Sequence, residues 1–111
     1  MAVRPITIQS INPDGSLQLS DNGSTTANPG DTIQWNIGPN SGVATISSIH
    51  DISSTDVFSP DPSKQPGNST SWQGTINSSI NSVTEEDYCI YYTIPGSSQV
   101  YTHDPKIIVN P

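Results

Sequence analysis

A chain of 111 residues has room for one domain with one core, and two would each be starved of buried surface. Its 3 Lys and Arg against 10 Asp and Glu give a net charge of −7, which excludes nucleic acid as a partner: too few cations are present to displace phosphate counterions. Cations and basic or neutral partners are left. No run nears the ~20 apolar residues of a membrane helix, so no membrane insertion is expected, and the single cysteine, Cys89, excludes an intrachain disulfide.

From the N-terminus, Val3–Ile11 alternates Ile6 and Ile8 with polar neighbours, the period of a half-buried strand. Pro5 lacks a backbone donor, which predicts an edge position or a strand start there. Asn12-Pro13-Asp14-Gly15 signals a turn, and Leu17 and Leu19 mark a second strand. Residues 21–27 are polar and are expected as a loop before the turn Asn28-Pro29-Gly30-Asp31. Thr32–Ile37 sends Ile33, Trp35 and Ile37 to one face. Residues 43–52 resume as a strand whose parity slips after Ile46, predicting a bulge near Ser47 and Ser48.

Residues 53–68, rich in proline and polar side chains, are expected as a long surface excursion. A strand follows over 69–77 through Trp72 and Ile76. In 77–86, Ile80 and Val83 are expected to tuck inward at a corner. Over 87–94, Tyr88, Ile90 and Tyr92 share one face and Cys89, Tyr91 and Thr93 the other. Val100 and Tyr101 begin a short extension, and Lys106–Val109 closes the chain. Strands separated by turn signals, with no helical period, predict an all-β, antiparallel Greek-key sandwich of about 7–8 strands, cupredoxin-like or immunoglobulin-like. A single domain over residues 1–111 is expected. Met1 to Pro5 lack the apolar stretch of a signal peptide, so the address is extracellular or periplasmic if a signal was removed and cytoplasmic otherwise.

Pro29-Gly30-Asp31-Thr32-Ile33-Gln34-Trp35-Asn36 resembles the opening strand of the cupredoxins, blue-copper β-sandwiches. Asp87-Tyr88-Cys89-Ile90-Tyr91-Tyr92 with Lys106-Ile107-Ile108-Val109 is similar to that family's closing pair. The resemblance implies the sandwich and lacks the metal. Copper there needs two histidines, a cysteine and a weak axial methionine. The cysteine slot falls on Tyr92, the histidine slots near Val43 and Ala44 and near Ile94 and Pro95, and Met1 is the sole methionine.

Cys89, His50 and His103 offer one thiolate and two imidazoles for copper or zinc, although none lies at a short ligand spacing from Cys89. Asp51, Asp56 and Asp61 offer oxygens for calcium without an EF-hand spacing. His50-Asp51 and His103-Asp104 repeat a dipeptide, but strand neighbours point to opposite faces and rarely orient one another. Glu85-Glu86-Asp87 is expected as a solvated corner. No G-x-S-x-G elbow is present, and no enzyme is expected. Trp35 and Trp72 are expected in the core, with Tyr91, Tyr101 and Phe58 offered to a partner. The expected function is a non-catalytic binding or assembly module for protein or carbohydrate, without a cofactor and compatible with a homo-oligomer. The alternative is a metal-binding (copper or calcium) cupredoxin-like protein.

Overall fold

The computed structural model describes residues 2–53, 55–59, 61–66 and 70–111. The described residues form ten strands: β1 (Val3–Ile11), β2 (Leu17–Leu19), β3 (Ser24–Ala27), β4 (Thr32–Ile37), β5 (Thr45–Asp51), β6 (Ser63–Lys64), β7 (Trp72–Thr75), β8 (Thr84–Thr93), β9 (Tyr101–His103) and β10 (Lys106–Val109). One sheet runs β2-β1-β4-β7-β6 and the other β3-β10-β8-β5, with β9 also pairing β8. Ile6, Ile8, Leu19, Ile33 and Trp35 from the first sheet meet Ile49, Tyr88, Ile90, Tyr92 and Ile107 from the second in one core. The expected β-sandwich is present.

Its detail is richer than the sequence pattern. Most pairings are antiparallel, but β1 pairs β4 in parallel and β3 pairs β10 in parallel, so both sheets are mixed. The chain passes from β2 to the opposite sheet for β3 and returns to lay β4 beside β1. β3 lies in the polar stretch expected as a loop. Its buried positions are Thr25 and Ala27, and a hydroxyl disguises the alternation that isoleucine would reveal. The Thr25 hydroxyl donates to the Asp21 carboxylate, which makes its burial tolerable.

Pro5 fits because β2 covers only the Ile8–Ile11 half of β1, leaving the edge beside Pro5 without a strand on that side. The bulge in β5 falls between Ile46 and Ser48. Val83, expected inward, is 70% exposed. It precedes β8, whose inward parity runs through Glu86, Tyr88, Ile90 and Tyr92 and leaves no inward place for it. Ile80 does pack partly against the core.

One polar contact ties the two layers, and another holds the turn before β4 to the start of β1. Trp35 Nε1 donates to Tyr88 Oη at 3.1 Å, with the rings edge-on at 5.6 Å, tying β4 to β8 through the core. Burial holds the Tyr88 phenol protonated across ordinary pH. At the turn before β4, Gly30 takes a φ of 87°, which glycine adopts without a Cβ clash. The turn presents Asp31, whose carboxylate accepts the Ala2 amide at 3.0 Å, the Asn28 amide at 2.9 Å and Arg4 Nε at 2.6 Å.

Candidate functional site: an acidic pocket beneath strand β5

The pocket grows from the ends of two paired strands. β5 and β8 are antiparallel with Asp51 opposite Tyr88, so Asp51 shares the inward parity of Ile49 and Tyr88 at the margin where the sheets part. Two residues before Tyr88, Glu86 follows the same parity and is 1% exposed. The excursion after β5 then returns across this margin. Val57 and Phe58 bury themselves in the core, and a bridge between Phe58 and Ile76 fixes the crossing to the end of β7. Between these elements lies a cavity of about 520 Å³ whose wall includes His50, Asp51, Asp56, Asp61, Trp72 and Glu86.

Three of these carboxylates anchor the chain through one oxygen. Asp51 Oδ1 accepts the Ser53 amide at 2.9 Å, Asp56 Oδ1 accepts the Phe58 amide at 3.0 Å, and Glu86 Oε1 accepts the Val57 amide at 2.8 Å. One oxygen from each of Asp51, Asp56 and Glu86 can be chosen so that all lie within 4.8 Å of one another. Glu86 Oε2 is buried with no hydrogen-bond partner among the described residues. Burial pushes the Glu86 carboxyl up to about 8; the Val57 amide opposes the rise, while the charges of Asp51 and Asp56 and a side-chain interaction with Asp56 that favours the protonated carboxyl add to it. Burial, then the charge of Asp56, raises Asp61 as well. Lys64 stands in the same wall as a basic counterweight.

The sequence-predicted residues distribute as follows. Asp51 and Asp56 come together here, with Asp61 beside them. Glu86 was expected as part of a solvated corner and is instead the buried floor; its parity with Tyr88, Ile90 and Tyr92 was the signal that placed it inward. His50 and Cys89 are direct partners across β5 and β8, on the outer face, where the His50 ring stands edge-on to Tyr91 at 5.6 Å. His103 stands opposite Ile90, an inward position, so parity sends its imidazole to the other side of the sheet. Burial lowers the pKa of His103, against the charges of Asp104, Asp21 and Asp14, and its Nε2 has no partner among the described residues. Burial pushes the Cys89 thiol up to about 11.

Tyr91, Tyr101 and Phe58 do not share one surface. Tyr91 lies on the outer face with His50. Phe58 is 6% exposed, packs on Trp35 with ring centroids 5.8 Å apart, and lines the acidic pocket. Tyr101 stacks on Tyr92 at 5.6 Å beside a depression of about 210 Å³ that Ile11, Pro13 and Ile94 complete. Trp72, in the wall of the acidic pocket, is only half-buried, with Nε1 donating to the Ile46 carbonyl at 3.2 Å.

Fold and pocket together describe an all-β sandwich domain with one strongly acidic recess. A family model described as a domain of unknown function (DUF8788) matches residues 8–100, and the chain belongs to that family. A solved structure, the cysteine protease inhibitor EhICP2 from Entamoeba histolytica, is similar with a TM-score of 0.48 at 14% identity, over 99% of this chain and 97% of that one. A likeness of that degree carries no functional inference. No curated protein matches the chain.

Proposed function

We propose that this domain is a non-catalytic binding module that takes a positively charged group into the acidic pocket beneath β5. The observation that carries the reading is the Asp51, Asp56, Asp61 and Glu86 wall of a cavity of about 520 Å³, a volume typical of small-ligand sites. A chain of net charge −7 attracts cations from a distance, and the recess concentrates that field where the carboxylates converge. A basic side chain of a protein partner, an amine or a metal ion all belong to the ligand class.

Catalysis has less behind it. Glu86 has a raised pKa, but burial is its first cause, and burial alone raises a carboxyl without any acid–base role. Copper at His50, Cys89 and His103 has less behind it too, because strand parity separates His103 from the other two. A second reading has one specific observation in its favour: the half-buried Tyr101, stacked on the buried Tyr92 beside the smaller depression, offers an aromatic ring to a sugar.

Backbone amide shifts of the labelled protein, titrated with calcium, an arginine-rich peptide, spermidine and a neutral oligosaccharide panel, separate these readings. Saturable shifts centred on Asp51, Asp56 and Lys64 with a cationic probe support the acidic pocket. No response to any cationic probe, or a response confined to Ile94 and Tyr101 with a sugar, overturns it.

A further inference from the structure

Glu86 is a carboxylate that folding has buried without finishing its hydrogen bonds. A buried oxygen that no donor meets is costly and uncommon in native proteins, and a cation shared with the neighbouring Asp56 carboxylate would satisfy it in place of a proton. The free oxygen of Glu86, Oε2, belongs to a residue in the wall of the acidic cavity, where Asp51 and Asp56 each bring a carboxylate anchored through Oδ1. We infer that Asp51, Asp56 and Glu86 form a divalent-cation site for calcium at the floor of the pocket, with Asp61 in the same wall but outside the set of converging oxygens. This rests on the acidic pocket being the binding site of the domain.

The chemistry selects the ion. Every candidate ligand atom is a hard carboxylate oxygen, which suits calcium or magnesium and gives no preference to copper or zinc. Two oxygens held at 2.3–2.6 Å from one calcium ion can stand up to about 5 Å apart, and the three carboxylates meet within 4.8 Å. Magnesium requires shorter, near-octahedral contacts and sheds water reluctantly. The carboxylates here come from a strand end, an irregular crossing and a neighbouring strand, a source of uneven geometry that calcium tolerates. The ion would also join β5, the crossing and β8 at one point, so occupancy would fix the crossing against the sandwich.

The test is calcium titration of the intact domain by calorimetry, paired with thermal melts in calcium and in chelator. One site is expected, with a rise in Tm in calcium, a weaker response to magnesium, and binding weakened roughly tenfold or more in Asp56→Asn and Glu86→Gln. Asp51→Asn changes an exposed side chain and keeps the test usable if Glu86→Gln misfolds. No heat and no Tm change up to about 10 mM calcium, weaker than ordinary extracellular sites, would overturn the inference, as would calcium binding that the three variants leave unchanged. If the arginine-rich peptide or spermidine shifts Asp51, Asp56 and Lys64 while calcium does not, the metal site falls and the pocket reading stands. Silence from every cationic probe removes both.

Discussion

The Val57 amide donates to Glu86 Oε1 at 2.8 Å, binding the returning crossing to a strand residue 29 positions further along the chain. One hydrogen bond thereby fixes the floor of the acidic pocket and leaves the second Glu86 oxygen to whatever enters it. Both residues are almost fully buried, so the contact works in a medium where an unsatisfied charge is expensive.

The first consequence concerns alkaline pH. In the metal-free protein Glu86 interacts with Asp51 of β5, Asp56 of the crossing and Tyr88 on its own strand, with Asp61, Lys64 and His50 elsewhere in the pocket lining. Its native pKa of about 8 lies above the ordinary 4.5, so the folded state holds a proton that the unfolded chain releases. Stability is therefore full below about pH 4.5 and falls as pH rises towards 8. Allowing for solvent screening, the loss is roughly 1–3 kcal/mol. Denaturant melts in chelator across this range should show the slope, and Glu86→Gln, which cannot ionise, should flatten it.

Asp31 gives the opposite dependence. Burial works against its charge, but the Ala2 and Asn28 amides and the Arg4 guanidinium outweigh it and lower the pKa to about 2. The stability it contributes is present above about 3.8 and is lost as pH falls towards 2. Asp31→Asn should cost about 1–3 kcal/mol at neutral pH and reduce the acid sensitivity of the melt.

Gly74 sets the pocket wall from beneath. A Cβ there would come within 2.8 Å of Phe58 Cδ1 and 3.0 Å of Pro62 Cγ, closer than carbon atoms pack. Gly74→Ala should destabilise the fold by about 1–3 kcal/mol and displace Phe58. A lowered denaturant midpoint, with altered amide shifts at Val57 and Phe58, is the expected result.

Cys89 should behave as an inert thiol. It is 4% exposed, and burial pushes it up to about 11 from an ordinary 9. Reagents attack the thiolate, so its alkylation at neutral pH should run about a hundredfold or more below that of the unfolded chain. Labelling followed by intact mass, with and without denaturant, measures the ratio.

Much of the sandwich was legible in the sequence because isoleucine and tryptophan reveal a period of two. Val3–Ile11, Thr32–Ile37 and Lys106–Val109 match their expected bounds, and the parity slip after Ile46 is a bulge. β3 was hidden because Thr25 is inward-facing yet polar, and the two parallel pairings depend on a crossing between sheets that no local pattern encodes. Asp51, Asp56 and Asp61 were visible as an acidic set. Glu86 was not, because charge argued for solvent while the alternation of β8 argued for the interior, and the alternation decided. Tyr91 and Tyr101 fell on different faces for the same reason, since pairing with Thr102 and Tyr92 assigns them opposite parity.

Carboxyl-detected NMR titration of Glu86, with and without calcium, tests the central claim most directly. A midpoint near 8 in chelator that drops into the ordinary carboxylate range in excess calcium is the predicted result. A Glu86 midpoint that excess calcium leaves unmoved would contradict it.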